Sequence, residues 1–282
     1  MEYSKQHHVP THILNNFKNE KGEFFYYNKE RAHKGIELRN TEKVFYRRHQ
    51  YSLDKGDGSK EVSIESKHFL WLDNAVKLVI DKILEAVRLN YNPELSFVER
   101  QLWDYYFVTQ YFRSPEVLHS DNTIKMSEEN YYELLPEIRE EVRQSWPDSE
   151  HLLNDEAFVK RMISNAPKSS LLSDRERPLK ALKSRGLYFG HVANSKKSLV
   201  IGSFPVMRYN SNGSNHLADE RTQMWMPISA DVMVSPGKQS GGEDILDVTD
   251  SFVRKQNSYI LMQSNEIGGR SAKLLKSLLN PR

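Results

Sequence analysis

Cysteine is absent from the 282 residues. That excludes disulfides, thiolate zinc sites, iron–sulfur ligation and a cysteine nucleophile, and it fits a reducing compartment. Long apolar runs are missing as well. The opening Met1-Glu2-Tyr3-Ser4-Lys5-Gln6 is polar, no apolar segment follows it, and no stretch approaches the length that crosses a bilayer. The expectation is a cytoplasmic protein with no membrane partner. The chain has no Walker loop, no G-x-G-x-x-G, no G-x-S-x-G and no H-E-x-x-H, so the common nucleotide, hydrolase-elbow and zincin readings lose their support. No cofactor and no metal can be named from these residues. The excess of cations is small, 40 Lys and Arg against 38 Asp and Glu for a net +2, and does not by itself argue for nucleic acid.

What is present suggests an α+β fold with a helical middle packed on a small mixed sheet, the sheet drawing strands from both ends of the chain. One domain over 1–282 is expected, with strands and loops in 1–63, mainly helix in 64–190, and strands with a final helix in 191–282. Phe69, Leu72, Val76, Val79, Ile80, Ile83 and Val87 recur at three- and four-residue spacing and predict a helix over Glu65–Leu89. A second is predicted over Glu94–Arg113, ended by Pro115, with Trp71, Leu72, Val76, Val79, Leu102, Trp103 and Tyr106 buried between the two. A third should run from Ser127, as N-cap, to Trp146, kinked or split at Pro136. The continuous apolar run in Ser198–Val206 predicts a central strand, paired with Gln223–Ile228. Asn210–His216 reads as a polar loop, Ser258–Met262 as a strand or the start of the last helix, and that helix as Ser264–Leu279.

Charge is unevenly placed. Carboxylates crowd Glu116–Glu156, and the following stretch reverses sign through Lys160, Arg161, Lys168, Arg175, Lys180, Lys183, Arg185, Lys196 and Lys197, opposed by little more than Asp174 and Glu176. Arg177 belongs to the same basic stretch, and on one face Lys180, Lys183, Arg185, Lys196 and Lys197 would track phosphates of RNA or DNA. The plain alternative is a solvated face, or one that neutralises the acidic helices. Arg113 and His119 also have the Arg-then-His spacing of small helical ribonucleases, although Pro115 lies between them.

Three histidines, His7, His8 and His12, fall within six positions near the start. His7-x-x-Pro10 with Leu14 and Phe17, then Gln110-x-x-Arg113-Ser114-Pro115, then Ile201-Gly202-Ser203-Phe204-Pro205-Val206, then Pro227-Ile228-Ser229, and finally Asn265 with Ala272, resemble in their order the bacterial domain of unknown function forty-two thirty-eight. The resemblance covers nearly the whole chain. It implies that His7 is the family histidine, with His8 in a tyrosine position, and that Ser203 stands where the family usually carries an aspartate.

That family has no established activity, so the chemistry is read from the residues. Gln110 and Arg113 lie one helical turn apart and share a face suited to a phosphate or carboxylate. His7, Asp73, Gln110 and Arg113 are the candidate catalytic set, His7 moving a proton, Arg113 binding an anionic group and Gln110 orienting it. His8 and His12 are expected to be structural or solvated. Two function classes stay open: a hydrolase acting on nucleic acid, such as an effector in anti-phage or toxin systems, and a non-catalytic sensing or interaction module serving a partner protein. In the second class Gln110 and Arg113 simply tie the N-terminal segment to the helical core.

Overall fold

The computed structural model describes residues 4–173, 175–194, 196–210, 219 and 221–280. The chain opens with β1 (Lys5–His7), the short helix α1 (Thr11–Asn15), β2 (Phe25–Asn28), β3 (Glu37–Leu38), β4 (Tyr46–Arg48) and the hairpin β5 (Leu53–Asp54) and β6 (Lys60–Glu61). Helices follow: α2 (Leu70–Arg88), α3 (Phe97–Phe112), α4 (Pro115–Leu118), α5 (Asp121–Ser145), α6 (Glu156–Ser169) and α7 (Glu176–Lys183). The rest holds β7 (Arg185–His191), β8 (Ile201–Gly202), β9 (Met207–Asn210), β10 (Thr222–Pro227), β11 (Val232–Gln239), β12 (Glu243–Asp247), α8 (Asp250–Gln263), β13 (Glu266–Gly269) and α9 (Ala272–Leu279). This is the expected α+β arrangement. One sheet runs β3-β2-β13-β8 and joins the two ends of the chain; a second runs β12-β7-β11-β10-β9, and β1 pairs with β4. Asp174 and the polar loop beyond Asn210 lie outside the described residues.

The two long helices form where the apolar spacing places them. A π-helical turn at Ile64–Phe69 leads into α2, whose Leu72, Val76, Val79, Ile80, Ile83 and Val87 are buried. Each fully buried aliphatic side chain contributes about 2 kcal/mol. Helix α3 starts at a capping box, Ser96 with Glu99, rather than at Glu94, and shares the core with α2 through Trp103, Tyr106 and Phe107. Trp71 corrects the expectation: it is 57% exposed, because it lies about 100° around the helix from the face led by Leu72. Leu102 is only half-buried.

Other boundaries also move. Helix α5 begins at Asp121 with Ser120 as its cap, and Pro136 sits inside it without ending it. Pro115 does not merely stop α3; it opens α4 at the first helical position, where its missing N–H costs nothing. The run Ser198–Val206 is not a central strand. Only Ile201–Gly202 pairs, at the edge of the four-stranded sheet, while Gln223 and its neighbours pair with β9 and β11 in the other sheet. Its apolar character reflects α8 covering it: a Cβ on Gly202 would meet Ser264 Oγ at 2.1 Å. Ser258–Met262 lies within α8, and the segment expected as one final helix is broken by β13. Gly268 enforces that break, since any side chain there would strike the Phe24 ring at 2.2 Å.

The acidic stretch pairs locally. Lys125 with Glu129, and Arg143 with Glu140 and Glu150, bridge within α5 and the turn after it, so its nearest counter-charges come from its own neighbours.

Candidate active site

Arg113 caps α3 and is fully buried. The next two residues fix its direction. Ser114 Oγ donates to the Gln110 carbonyl at 3.0 Å, and Pro115 starts a new helix. The Arg113 carbonyl accepts from the Tyr51 hydroxyl at 2.9 Å and from Gln50 Nε2 at 3.2 Å. The guanidinium carbon lies 5.0 Å from the centroid of Phe69 and 5.8 Å from that of Tyr106. Nη1 donates to the two carboxylate oxygens of Asp73 on α2, at 3.0 and 3.2 Å. Nε and Nη2 are buried and have no partner among the described residues. That pair is the edge of a guanidinium that grips a phosphate or carboxylate in two parallel hydrogen bonds.

The other predicted residues gather around it. Gln110 Nε2 donates to the His8 carbonyl at 2.6 Å, tying the end of β1 to α3, and its Oε1 has no partner. His7 leans on Tyr46 and His8 on Phe45, with centroids 5.6 and 5.9 Å apart. His7 pairs with Tyr46 in the antiparallel register of β1 and β4, and His8 and Phe45, each one residue beyond its strand, meet next to that pair. Burial pushes His7, His8 and His12 below the usual imidazole value, and the positive charge of Arg113 pushes the same way in each; His12 falls to about 4. All three are neutral at neutral pH. Ring nitrogens of all three are buried and unpartnered, His8 through both Nδ1 and Nε2. His8 is fully buried and therefore not solvated.

Glu65, on the π-helical turn, completes the centre. Burial raises its carboxyl to about 7, against the pull of Arg113. Its Oε2 and the Tyr106 hydroxyl also lack partners. Buried polar groups normally find one, and most of those without one among the described residues belong to Arg113, to side chains that hydrogen-bond its backbone, or to groups within its field. π-Helical turns are frequent where a helix serves a site. Neither Glu65 nor Tyr51 is marked by the sequence, and Tyr106 is marked only as core, because helical periodicity shows which positions are buried and not which of them carry a site group. A carboxylate two turns ahead of Asp73 was the available signal.

Two readings do not assemble. Arg47 and Lys168, not Arg113, are the charges acting on His119, so the ribonuclease-like spacing is not brought together: α4 carries His119 away. Ser203 is held in a knot, donating to Glu116 and accepting from the backbone N–H groups of Asn265 and Glu266 at 3.0 and 3.1 Å. The carboxylate in that place comes from Glu116.

The basic residues separate into three places. Lys180 and Lys183 are exposed on α7, Lys183 lying 5.5 Å from the Phe97 ring centroid. Arg185 is buried and donates to the carbonyls of Gly237, Pro236 and Thr222 at 2.8, 3.2 and 3.3 Å, so it is not on a surface that phosphates reach. Lys196 and Lys197 line an open cleft of about 1910 Å³ with Lys18, Lys21, Arg254, Lys273 and Lys276. Among the described residues no group of three or more His, Cys, Asp or Glu is arranged to hold a metal ion, and no helix is long and apolar enough to cross a membrane.

Comparison with known proteins adds one match. The model of the family described as Protein of unknown function (DUF4238) matches residues 5–267. No curated protein and no solved structure matches the chain.

Proposed function

The chain belongs to the DUF4238 family of proteins of unknown function, a membership that names no reaction, and we propose from its residues that the Arg113 centre is a hydrolase site for a phosphate ester of nucleic acid. The observation that carries the reading is the free Nε and Nη2 edge of a fully buried arginine, bordered by neutral imidazoles and a carboxyl that titrates near 7. Asp73, Glu65 and His7 are half-buried, so a phosphate would enter from their side. Arg113 holds two non-bridging oxygens and stabilises the charge that grows on them. His7, unprotonated, takes the proton of an attacking water as the new P–O bond forms; Glu65, about half protonated at neutral pH, gives one to the departing oxygen as the old bond breaks. Gln110 orients the segment that carries His7. The cleft with Lys196 and Lys197 would carry the rest of the polyanion.

The test uses the full chain on end-labelled RNA, single-stranded DNA and duplex DNA, beside His7→Ala and Glu65→Gln. Expected is cleavage by wild type and a loss of about 100-fold or more in each variant, with thermal midpoints within a few degrees of wild type. No cleavage of any of the three by wild type overturns the hydrolase reading. A second reading then stands, that of a non-catalytic sensing module that binds an anion without turnover, favoured by Arg113 Nε and Nη2 having no partner among the described residues. It expects inorganic phosphate to raise the thermal midpoint in wild type and not in Arg113→Gln.

A further inference from the structure

A second pocket lies on the other sheet, away from Arg113. It is a cavity of about 590 Å³ between one face of the five-stranded sheet and the start of α8, within the range of small-ligand sites. Ser235 pairs with Tyr188, and Trp225 and Ser235 flank the Met226–Val234 pair, so Trp225, Ser235 and Tyr188 form one cross-strand rung on one face. Phe252 of α8 meets Trp225 edge-on at 5.4 Å. The indole lies along the sheet because Gly190 has no side chain; a Cβ there would come within 3.2 Å of its Cζ3. The floor and one wall of the pocket are therefore aromatic.

Its two ends differ in charge. At one end the ladder between β7 and β11 shifts register between Pro236 and Gln239. Bulges of this kind re-aim a side chain, and here Lys238 lies within the bulge and lines the pocket. The buried Arg185 braces the bulge by donating to the carbonyls of Pro236 and Gly237. Arg221, nearby, is exposed but paired with Asp219, whereas Lys238 is exposed and has no ion-pair partner among the described residues. At the other end, Asp247 lines the pocket just before the N-terminus of α8.

We propose that this pocket binds a nucleoside phosphate, its base stacked against Tyr188, Trp225 and Phe252, its phosphate on Lys238, and its ring N–H or amino group donating to Asp247. A planar π-system between a cation and a carboxylate matches the order phosphate, sugar, base. Stacking on aromatic side chains accepts any base, because every base has a π face. The bulge and its arginine brace exist before any ligand arrives, so little ordering is required on binding.

The experiment is calorimetric titration of the full chain with GMP, AMP, guanosine and inorganic phosphate, alongside quenching of tryptophan emission. Lys238→Ala removes an exposed side chain and leaves folding intact. Expected is saturable binding of at least one nucleotide with quenching, weakened tenfold or more in Lys238→Ala, while guanosine binds both proteins equally. Tyr188→Ala should weaken nucleotide and nucleoside together. Absence of nucleotide binding at millimolar concentration overturns the proposal. So does binding unchanged in Lys238→Ala, and so does inorganic phosphate matching the nucleotides, which would place the ligand at Arg113 instead.

Discussion

Arg113 gives Asp73 only Nη1, shared between the two carboxylate oxygens at 3.0 and 3.2 Å. A structural arginine of this kind would be expected to present a two-nitrogen edge to its carboxylate. Here that edge is left open, and the consequence is testable. Asp73→Asn removes the counter-charge of a buried cation and should lower stability by about 3 kcal/mol. Because phosphate supplies replacement charge at the free edge, it should restore part of the loss in proportion to its concentration. Chemical denaturation with and without phosphate reads both effects, and a deficit indifferent to phosphate would show that no anion reaches the guanidinium.

The pH dependence has two opposing parts. His7, His8 and His12 sit below their ordinary 6.5, so the unfolded chain takes up protons first, and stability falls as pH drops below about 6.5, continuing to about 4 where His12 titrates. Glu65 has the reverse sign. Raised from 4.5 to about 7, it contributes stability below 4.5 that is lost as pH rises through 7. Glu65→Gln should therefore be more stable than wild type at pH 8, by about 2 kcal/mol, with the advantage gone at pH 5. Thermal melts at the two pH values decide it; the same difference at both would mean that Glu65 does not titrate in this window.

Nucleic-acid binding, if the cleft carries it, has a location. Replacing Lys196, Lys197 and Lys273 by Ala should reduce the slope of log affinity against log salt by about 2 to 3, since each lost phosphate contact takes about 0.9 from it. Lys180→Ala with Lys183→Ala should leave the slope alone. Gel shifts over a salt series provide the measurement, and the opposite ranking would move the polyanion to α7.

Ser203 and Glu116 form a pair whose members limit each other. Ser203→Asp puts a second carboxylate against Glu116 and should destabilise the chain at neutral pH by about 1–3 kcal/mol through like-charge repulsion. Adding Glu116→Gln should return most of it, because Gln can donate to the new carboxylate. Equal stability of the single and double variants would separate the two positions.

The helical core was legible because burial of one helix face writes a 3.6-residue period into the chain, and Leu72 through Val87 carry it cleanly. Trp71 was misread because size and hydrophobicity were weighed without its angle on the helix. The late strands were less legible. Ser198–Val206 is apolar because α8 and its neighbours enclose it, and enclosure leaves the same mark as a central position in a sheet. Of the residues that meet at Arg113, Gln110 is legible from spacing, since a glutamine and an arginine one turn apart share a face, whereas His7 rests on the family resemblance. Glu65 is not legible, because its chemistry arises from groups distant in sequence. Arg185 shows the converse: nothing in its local sequence separates a lysine-like surface cation from one whose donors all turn inward to carbonyls.

The sheet that pairs β2 with β13 sets Phe25 against Gly269 and Asn28 against Glu266. During synthesis, the strand that pairs with β2 is made more than two hundred residues after it. A ribosome carrying the first two hundred residues already displays the histidines and Arg113, yet the sheet beside them waits for its central strand. Closing contacts so far apart along the chain is slow. The N-terminal aromatics Phe24 and Tyr26 then depend on chaperones, or on the helical core, for cover until β13 has been made. A transcript cut short before residue 266 would yield a chain that carries every residue of the Arg113 centre and lacks the strand that encloses its neighbour β2.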